Sequence, residues 1–415
     1  MRHRDEEYFL ALSSKPHVSI GIPFQDACKF HADETFQAKK IYIIVSSSIS
    51  KTENFAILRN ALGAKICGIR HGIKPHTPWP EVLEIASELR DNQADLIVTL
   101  GGGSLTDGAK IASFACANSA FTLDDLDKIH IGAKPDPASL KTCNIHIINI
   151  PTTLSGGEYT IDGGATHPQK HRKSIFRHHS MGTHLVILDP ALTISTPGRV
   201  WLSSGMRAVD HCVEGLCSVF FRHGQASSET KAVQEKHLMS GLGLLLPSLL
   251  VTKMNPGDLV ARRNEMLGVI EAIRGTTGVA MGASHGIGHQ LGPLGVGHGE
   301  TSCVVLPSVL KWNYQHGESW VKERQSKVLN VFWGHEMVAR VLSEAGLAKE
   351  TSNAGEVVEA YIKFLSMPTR LSDVGIGEDQ IGAVADNAMN DDCILTNPVK
   401  IVEVGQLRQI LEFTL

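Results

Sequence analysis

The chain has 415 residues, 42% of them hydrophobic, and a formal net charge of −4. This length predicts two to three domains with full-sized cores. The weak negative charge, without a polybasic run, excludes nucleic acid as an expected partner. No apolar segment of signal-peptide length follows the N-terminus, and Pro247 interrupts the longest apolar run, so we expect neither secretion nor a membrane span. Eight cysteines without a CxxC pair favour reduced thiols in the cytoplasm.

In the first half of the chain, β-branched runs alternate with helical periodicity. Buried strands are predicted at 39–48, 64–69, 94–100, 144–150 and 184–189, and helices at 54–63 and 80–92. Strands that alternate with helices predict a mostly parallel sheet with helices on both faces. We therefore expect residues 1–192 to form a doubly wound, Rossmann-like α/β domain that binds a dinucleotide.

After Pro190 the pattern changes to long helical periodicities with few β-branched runs. Helices are predicted at 197–221, 227–250, 256–273, 277–291, 302–314, 320–345, 353–364 and 404–413. Residues 193–415 are therefore expected to form an all-α domain. A cleft between a nucleotide-type sheet and a helical domain is the expected place for the active site.

Two loops rich in glycine and hydroxyl groups follow predicted strands. The loop GGGSLTDGAK, residues 101–110, has three glycines and a predicted helix start near Ser104, which suits a dinucleotide diphosphate. The alternative is a tight turn without a ligand. The loop PTTLSGGEYT, residues 151–160, suits the nicotinamide and ribose side of the same cofactor. The serines at 46–48 stand where a carboxylate often holds the adenosine ribose, so NAD and NADP both stay open.

Histidines are most concentrated in ASHGIGHQLG, residues 283–292, and in GVGHG, residues 295–299. His285 and His289 are one helical turn apart, and His298 follows in a segment that can fold back, so three imidazoles are expected to converge. The intervening glycines leave room for a ligand and for close backbone approach. The competing interpretation is a set of ordinary buried histidines that are satisfied by their own hydrogen bonds.

In combination, these motifs resemble the iron-dependent alcohol dehydrogenase superfamily. GGGSLTDGAK resembles its GGGSxxDxAK loop, PTTLSGGEYT its PTT loop, LDPAL at 188–192 its inter-domain segment, and SHGIGHQLG with VGHG its histidine region. TNP at 396–398 is a weaker match. The resemblance implies a dehydroquinate synthase-like architecture, with an α/β nucleotide domain followed by a helical domain. It also implies NAD(P)-dependent oxidoreductase activity, usually with a bound metal.

The metal ligands of that family are an Asp and a His at i and i+4 on one helix, plus two later histidines. Here the histidines fall on His211, His285 and His298, but Arg207 occupies the position of the Asp. A guanidinium has no lone pair to donate to a metal, and its positive charge repels a cation. Asp210 cannot replace the missing ligand, because adjacent residues on a helix, such as Asp210 and His211, point about 100° apart. We therefore expect no tightly bound iron or zinc, a departure that resembles the maleylacetate reductase branch.

The resulting hypothesis is hydride transfer from NADH or NADPH to a small unsaturated carbonyl substrate that carries a carboxylate. His289 is predicted to be the proton donor, His211 and His285 to shape the site or relay protons, and Arg207 to bind the substrate's charge. The predicted cofactor contacts are Gly101, Gly102, Gly103, Ser104, Asp107, Thr152, Thr153, Ser155 and Lys173.

Several alternatives remain open at this point. Arg207 could instead form an ion pair with Asp210 or Glu214, and Lys173 could be a solvated surface residue. The protein could be a metal-dependent alcohol dehydrogenase that uses His211, His285 and His298, a non-redox lyase or decarboxylase on the same scaffold, or a pseudoenzyme. A homodimer is expected from the family resemblance.

Overall fold

The computed structural model describes residues 9–10, 16–169, 173–219, 221, 224 and 226–415. Contacts between Cα atoms divide the chain into two compact units, Met1–Ser195 and Thr196–Leu415. The first unit contains a parallel sheet flanked by helices, and the second is helical. The predicted combination of an α/β domain with a helical domain is confirmed.

A seven-stranded sheet forms the centre of the first unit. In chain order, the strands among the described residues are β1 (Phe9–Leu10), β2 (His17–Ile20), β3 (Ile41–Val45), β4 (Ile66–His71), β5 (Leu96–Gly101), β6 (His146–Pro151), β7 (Asp162–Thr166), β8 (Lys173–Arg177) and β9 (Leu185–Leu188). The strand order is β1-β2-β9-β6-β5-β3-β4, and only β1 is antiparallel to its neighbour. Strands β7 and β8 form a separate antiparallel pair.

Helices cover both faces of this sheet. They are α1 (Phe24–Phe30), α2 (Glu53–Leu62), α3 (Trp79–Asn92), α4 (Gly103–Ala117), α5 (Leu123–Asp127) and α6 (Pro190–Thr193). Alternate residues of β3 enter different cores: Ile41 and Ile43 pack with residues of α1 and α2, whereas Tyr42 and Ile44 pack with residues of α3 and α4. Because β3 is buried on both faces, its sequence is a continuous apolar run rather than an alternating one.

The second unit is built from helices alone, apart from one isolated bridge between Phe221 and Val279 among its described residues. The helices are α7 (Gly198–Cys217), α8 (Ser228–Met254), α9 (Leu259–Thr276), α10 (Ala283–Leu291), α11 (His298–His316), α12 (Ser319–Gly334), α13 (Glu336–Glu344), α14 (Ala354–Phe364), α15 (Glu378–Ala388), α16 (Asp392–Leu395) and α17 (Val404–Glu412). Glycines allow α8 and α9 to approach closely, since a Cβ on Gly241 would lie 3.1 Å from the backbone of Gly268.

Helix α8 includes the longest apolar run of the sequence. Pro247 lies inside this helix and does not end it. By length and composition α8 could cross a membrane, but half of its most apolar window is buried in the unit. A core helix of a folded domain passes the same test, so this feature is weak evidence for a membrane span.

Several predicted boundaries are wrong. The periodic segment 320–345 forms two helices separated at His335, α10 begins at Ala283 rather than 277, and α11 begins at His298 rather than 302. Gly278, with φ of +77°, explains the late start of α10, because a residue in the left-handed region ends helical geometry. Hydrophobic periodicity did not predict the bounds of four short strands and six helices, which are β1, β2, β7, β8, α1, α4, α5, α6, α15 and α16.

Candidate active site

The glycine loop lies at the carboxyl end of β5 and leads directly into α4. A Cβ on Gly102 would lie 3.3 Å from Thr153 Cγ2, and one on Gly103 would lie 2.9 Å from Ser155 Oγ. Larger residues would therefore force the glycine loop away from the PTT loop. Because the first N–H groups of a helix have no intrahelical acceptor, the start of α4 offers donors to an anion beside both loops.

The predicted cofactor residues Ser104 and Thr152 belong to the same pair of loops. The N–H of Thr152 donates to the carbonyl of Gly101 at 3.0 Å, and the carbonyl of Ser104 accepts from Thr77 Oγ1 at 3.2 Å. Ser46 is close by, because a Cβ on Gly101 would lie 3.1 Å from Ser46 Cβ. The two loops and the end of β3 therefore meet at one edge of the sheet, as parallel strands require.

Asp107 and Lys173 make contacts that hold this region together. Asp107 Oδ2 accepts from the N–H of Gly164 at 3.2 Å, and Lys173 covers Gly164, since a Cβ there would lie 2.1 Å from Lys173 Cε. Lys110, fully buried, donates from Nζ to the carbonyl of Gly157 at 2.8 Å. Burial lowers the pKa of Lys110, although Asp107 opposes that effect. These contacts fasten α4 to β7 and the PTT loop, and roles toward a cofactor stay predictions.

Arg207, on α7 in the second unit, lies in a buried histidine–carboxylate cluster that also contains Asp210, Glu214, Ser284, His285 and Ser302. Its Nη1 donates to Asp210 Oδ2 at 3.2 Å and to Ser302 Oγ at 3.0 Å, and the side chain is 3% exposed. The same Asp210 oxygen accepts from Ser302 Oγ at 2.6 Å and from Ser284 Oγ at 3.2 Å. The structure therefore contains the ion pair with Asp210 that the sequence left as an alternative for Arg207.

Glu214, one helical turn beyond Asp210, joins this cluster to α10. Its Oε2 accepts from the N–H of Gly282 at 2.9 Å and from His285 Nδ1 at 2.7 Å, and its Oε1 accepts from the N–H of Ser284 at 2.8 Å. A carboxylate at this position interacts favourably with the positive end of the helix dipole. Glu214 therefore both caps α10 and orients the ring of His285.

Burial controls the protonation of the cluster. It raises the pKa of Asp210 to about 7, with a further contribution from the charge of Glu214, while Arg207 and the two serine hydroxyls oppose the rise. Burial also raises the pKa of Glu214, against the backbone N–H donors and Arg207. The pKa of Arg207 is lowered by burial, and both carboxyl groups oppose this effect. One buried guanidinium therefore faces two carboxyl groups that ionise less readily than usual.

The structure brings three of the four predicted histidines together. The ring centroids of His211 and His285 are 4.9 Å apart, and those of His285 and His289 are 6.4 Å apart. His289 Nδ1 also lies 2.9 Å from Asp391 Oδ2. His298 is an exposed residue at the start of α11, so its part in the predicted convergence stays a prediction.

The cluster offers a divalent cation few lone pairs. Carboxylate oxygens of Asp210 and Glu214 and a ring nitrogen of His285 lie within 4.8 Å of one another, a spacing that a cation could bridge. However, both oxygens of Glu214 accept backbone N–H groups, and Asp210 Oδ2 accepts Arg207 and two hydroxyls. Of the four carboxylate oxygens of Asp210 and Glu214, only Asp210 Oδ1 is buried without a hydrogen-bond partner among the described residues. A cation at this position would have to displace Arg207 and existing hydrogen-bond partners, so the arrangement disfavours iron or zinc.

Residues of adjacent helices occupy the space beside three glycines of α10 and α11. A Cβ on Gly286 would lie 2.8 Å from Ile394 Cδ1, and one on Gly299 would lie 2.3 Å from the carbonyl of Ser203. A Cβ on Gly288 would lie 3.0 Å from a hydroxyl on α11. The predicted close approach is therefore confirmed at Gly286, Gly288 and Gly299, where α10 and α11 pack against other helices and leave no room for a ligand, whereas the space beside Gly295 is open.

Sequence reasoning missed three participants or their roles. Glu214 appeared only as an alternative ion-pair partner of Arg207, although its spacing of three from His211 places both on one face of α7. Ser302 offered no signal. Asp391 was detectable only as a helix N-cap residue ahead of the TNP motif, where its side chain accepts from the N–H of Cys393.

A doubly wound α/β domain with two adjoining glycine- and hydroxyl-rich loops, followed by a helical domain with a histidine–carboxylate cluster, is the arrangement expected of a two-domain dehydrogenase. The chain belongs to the iron-containing alcohol dehydrogenase family. The family described as iron-containing alcohol dehydrogenase matches residues 24–190, and the one described as Fe-containing alcohol dehydrogenase family, C-terminal, matches residues 201–414. The resemblance to this family and the assignment as an oxidoreductase are confirmed.

Two relatives of similar length are named as dehydrogenases. The chain is 44% identical to the dehydrogenase FUM7 of Gibberella moniliformis, over 94% of this chain and 96% of the relative. It is also 44% identical to the dehydrogenase ALT3 of Alternaria alternata, over 89% of this chain and 97% of the relative. Maleylacetate reductase 1 of Cupriavidus pinatubonensis is more distant, at 26% identity over 84% of this chain and 82% of the relative.

A solved structure of similar fold is the sulfoacetaldehyde reductase of Bifidobacterium kashiwanohense in complex with NAD+. Its TM-score is 0.78 at 20% identity, and the match covers 98% of each chain. At this identity the likeness supports the fold.

Proposed function

We propose that the protein transfers hydride from NADH or NADPH to a small unsaturated carbonyl substrate that carries a carboxylate, without a bound metal. The family and two relatives named as dehydrogenases support redox chemistry. The maleylacetate reductase relative supports a carboxylate-bearing substrate only at a distance. In this proposal the first unit binds the cofactor, and residues of the second unit supply charge and a proton.

The observation that carries the proposal is the buried cation Arg207 inside the histidine–carboxylate cluster. Its Nη1 is used by Asp210 and Ser302, but its Nε is buried without a hydrogen-bond partner among the described residues. The guanidinium therefore keeps donor capacity for a further acceptor, such as a carboxylate or a carbonyl oxygen. A fixed guanidinium can stabilise negative charge that develops on the substrate oxygen, the task that a metal performs in metal-bearing relatives.

The cofactor, when bound, supplies the hydride. We propose that Gly101, Gly102, Gly103, Ser104 and Asp107 hold its diphosphate side, and that the PTT loop and Lys173 hold its nicotinamide side. The contacts between the glycine loop and the PTT loop support this assignment. The serines that follow β3 leave NAD and NADP as alternatives, since no carboxylate there would repel a 2′-phosphate.

A metal-dependent alcohol dehydrogenase is the second candidate function. The family favours it, and so does the spacing of the ligand atoms on Asp210, Glu214 and His285. It requires a cation to displace Arg207 from Asp210. Metal content therefore separates the two candidates.

The decisive experiment measures metal content together with turnover. The purified protein is analysed for iron and zinc by mass spectrometry, and oxidation of NADH and NADPH is followed with maleylacetate and with simple aldehydes. We expect less than about 0.1 metal ion per chain, chelator-resistant activity and preference for the carboxylate substrate. Stoichiometric metal with chelator-sensitive activity would contradict the metal-free proposal. Tight cofactor binding without net oxidation would instead indicate lyase chemistry.

Variants at position 207 test the role of the guanidinium. In Arg207→Ala, kcat/KM for the carboxylate substrate should fall about 10- to 100-fold more than for an uncharged aldehyde, as expected for one charged hydrogen-bonding contact. Arg207→Asp should bind iron or zinc more tightly, because it adds an anionic ligand and removes the repulsion. Equal losses for both substrates in Arg207→Ala, with a native circular dichroism spectrum, would show that Arg207 does not recognise the carboxylate and would leave only a role at the carbonyl oxygen. Unchanged kcat/KM for both substrates would contradict either role.

We also propose a cytoplasmic homodimer that acts on a small molecule and binds neither nucleic acid nor membrane. All eight cysteines are free thiols, which suits a reducing compartment. The dimer rests on the family resemblance. Light scattering at defined protein concentrations checks the oligomeric state.

A further inference from the structure

A second carboxylate–histidine pair lies at the C-terminal end of α10. His289 Nδ1 is 2.9 Å from Asp391 Oδ2. The other carboxylate oxygen of Asp391 accepts from the N–H of Cys393 at 3.0 Å and caps α16. The backbone N–H of Cys393 therefore fixes one oxygen of the carboxylate, and the other oxygen is directed at the ring of His289.

The direction of this hydrogen bond follows from the charge of Asp391. Burial alone would raise the pKa of this carboxyl, but the hydrogen bond and charge of His289 outweigh it, and the pKa is lowered. An ionised carboxylate only accepts hydrogen bonds, so Nδ1 of His289 must carry the proton. A proton that His289 exchanges with a substrate must therefore pass through Nε2.

We propose that Asp391 is the positioning residue that fixes His289 as a proton donor through Nε2. The inference rests on the proposed function. The reduced cofactor, when bound, would supply hydride to the electrophilic carbon of the substrate and be oxidised by that loss, and the displaced electron pair would leave an anion at the carbonyl oxygen. Nε2 of protonated His289 then gives its proton to the resulting anion, and Nδ1 stays protonated against Asp391. Solvent returns the proton to Nε2.

The exposure of the pair suits this role. The side chains of His289 and Asp391 are 23% and 18% exposed, so the pair is shielded but reachable for a small molecule or water. Carboxylates behind metal-ligating histidines set the tautomer and ring angle, and removing them typically reduces metal affinity or activity about 10- to 100-fold. We expect an effect of similar size where the carboxylate orients a proton donor.

The test substitutes Asp391→Asn and uses Asp392→Asn as a matched control. Asn keeps the size of the side chain and an oxygen that can cap α16, but its amide group donates to Nδ1 and drives the proton to Nε2. Asp392 is exposed and carries the same charge at the adjacent position. We expect kcat with maleylacetate to fall about 10- to 100-fold in Asp391→Asn. KM for NADH should change less than about twofold, and Asp392→Asn should behave as wild type.

A double-mutant cycle separates positioning from a structural role. If Asp391 acts through His289, the variant that combines His289→Gln with Asp391→Asn should be no slower than His289→Gln alone. Additive losses would overturn the inference. Loss of kcat in His289→Gln with wild-type kcat in Asp391→Asn would also overturn it and leave the proposed function standing.

Nitrogen NMR provides a readout that does not depend on the substrate. Protein labelled with ¹⁵N-histidine should show His289 with a protonated Nδ1, and Asp391→Asn should abolish that signature. His289→Gln supplies the assignment. If wild-type protein oxidises neither NADH nor NADPH with any carboxylate substrate, the proposed function fails while this spectrum still decides the inference. A wild-type spectrum without protonated Nδ1 at His289 would refute it.

Discussion

His285 and His289 of α10 each pair with a carboxylate from another part of the helical unit, and the two pairs differ chiefly in burial. Glu214 and His285 are joined at 2.7 Å, with both side chains 6% exposed. Asp391 and His289 are joined at 2.9 Å and are 18% and 23% exposed. Both pairs use Nδ1 of the histidine. Because the geometry of the two pairs is similar, their surroundings are the main difference between them.

The two carboxylates also respond oppositely to their surroundings. Glu214 is buried near Asp210 and Arg207, and burial raises its pKa, whereas the hydrogen bond with His289 lowers the pKa of Asp391. Glu214 accepts two backbone N–H groups in addition to His285, so it secures the start of α10. The buried pair therefore belongs to the framework of the domain, and the accessible pair suits proton exchange.

The largest expected effect comes from breaking the buried pair. Glu214→Ala removes the acceptor of His285 and of two backbone N–H groups, which leaves three buried donors unsatisfied. We expect the free energy of unfolding to fall by about 3–5 kcal/mol, as for other broken buried polar pairs. Urea denaturation monitored by circular dichroism measures the change. Asp391→Asn is the control and should lose less than about 1 kcal/mol, and equal losses in the two variants would remove the distinction.

Opposite pH dependence should sharpen the contrast. Because the folded-state pKa of Glu214 is raised, its contribution to stability is fully present below the ordinary value of 4.5 and is lost as pH rises through the folded value. The folded-state pKa of Asp391 is lowered. Its contribution to stability is therefore present above pH 3.8, its ordinary pKa, and is lost as pH falls through the folded-state pKa.

Urea unfolding across pH 3 to 8 measures this contrast, with Glu214→Gln and Asp391→Asn as non-titrating references. The wild-type stability relative to Glu214→Gln should fall with rising pH, by at most about 1.4 kcal/mol per pH unit. Relative to Asp391→Asn, it should fall with decreasing pH. Slopes of the same sign would show that the two carboxylates do not differ as described.

The smallest effect is expected at the link between the segments that carry the two pairs. Thr396 Oγ1, just after α16, donates to the carbonyl of Met281 at 2.6 Å, ahead of the cap of α10. Thr396→Val keeps the shape and removes this hydrogen bond, so we expect a loss of about 1 kcal/mol. The unfolding midpoint in urea measures it. A loss above about 3 kcal/mol would indicate that the two pairs are one cooperative unit.

Much of the α/β unit could be predicted because its strands are buried on both faces. Strands β3, β5 and β9 are fully buried apolar runs, which produce a strong local signal. Strand β7, with the sequence DGGAT, has little intrinsic strand preference and is stabilised by pairing with β8 and by contacts to α4. Periodicity therefore could not reveal it.

In the helical unit, the sequence predicted the helices better than their ends. The single range 320–345 spans α12 and α13, because the apolar periodicity continues across the break at His335. Short α16 has too few residues for a periodic pattern, although it presents Asp391 to His289. Helix ends depend on caps and tertiary contacts, which hydrophobic patterns do not contain.

By itself, the sequence determined the two-domain class from the alternation of local patterns, and it located the two glycine- and hydroxyl-rich loops and Arg207 because each lies within a short stretch of chain. Tertiary structure alone decided the partners of the site residues. Ser302 meets Asp210 across 92 positions, and Asp391 meets His289 across 102. Such pairings depend on how helices pack, and burial then sets the charge of each carboxylate. For that reason the sequence could name His285 and His289, but only the fold separated a framework pair from an accessible one.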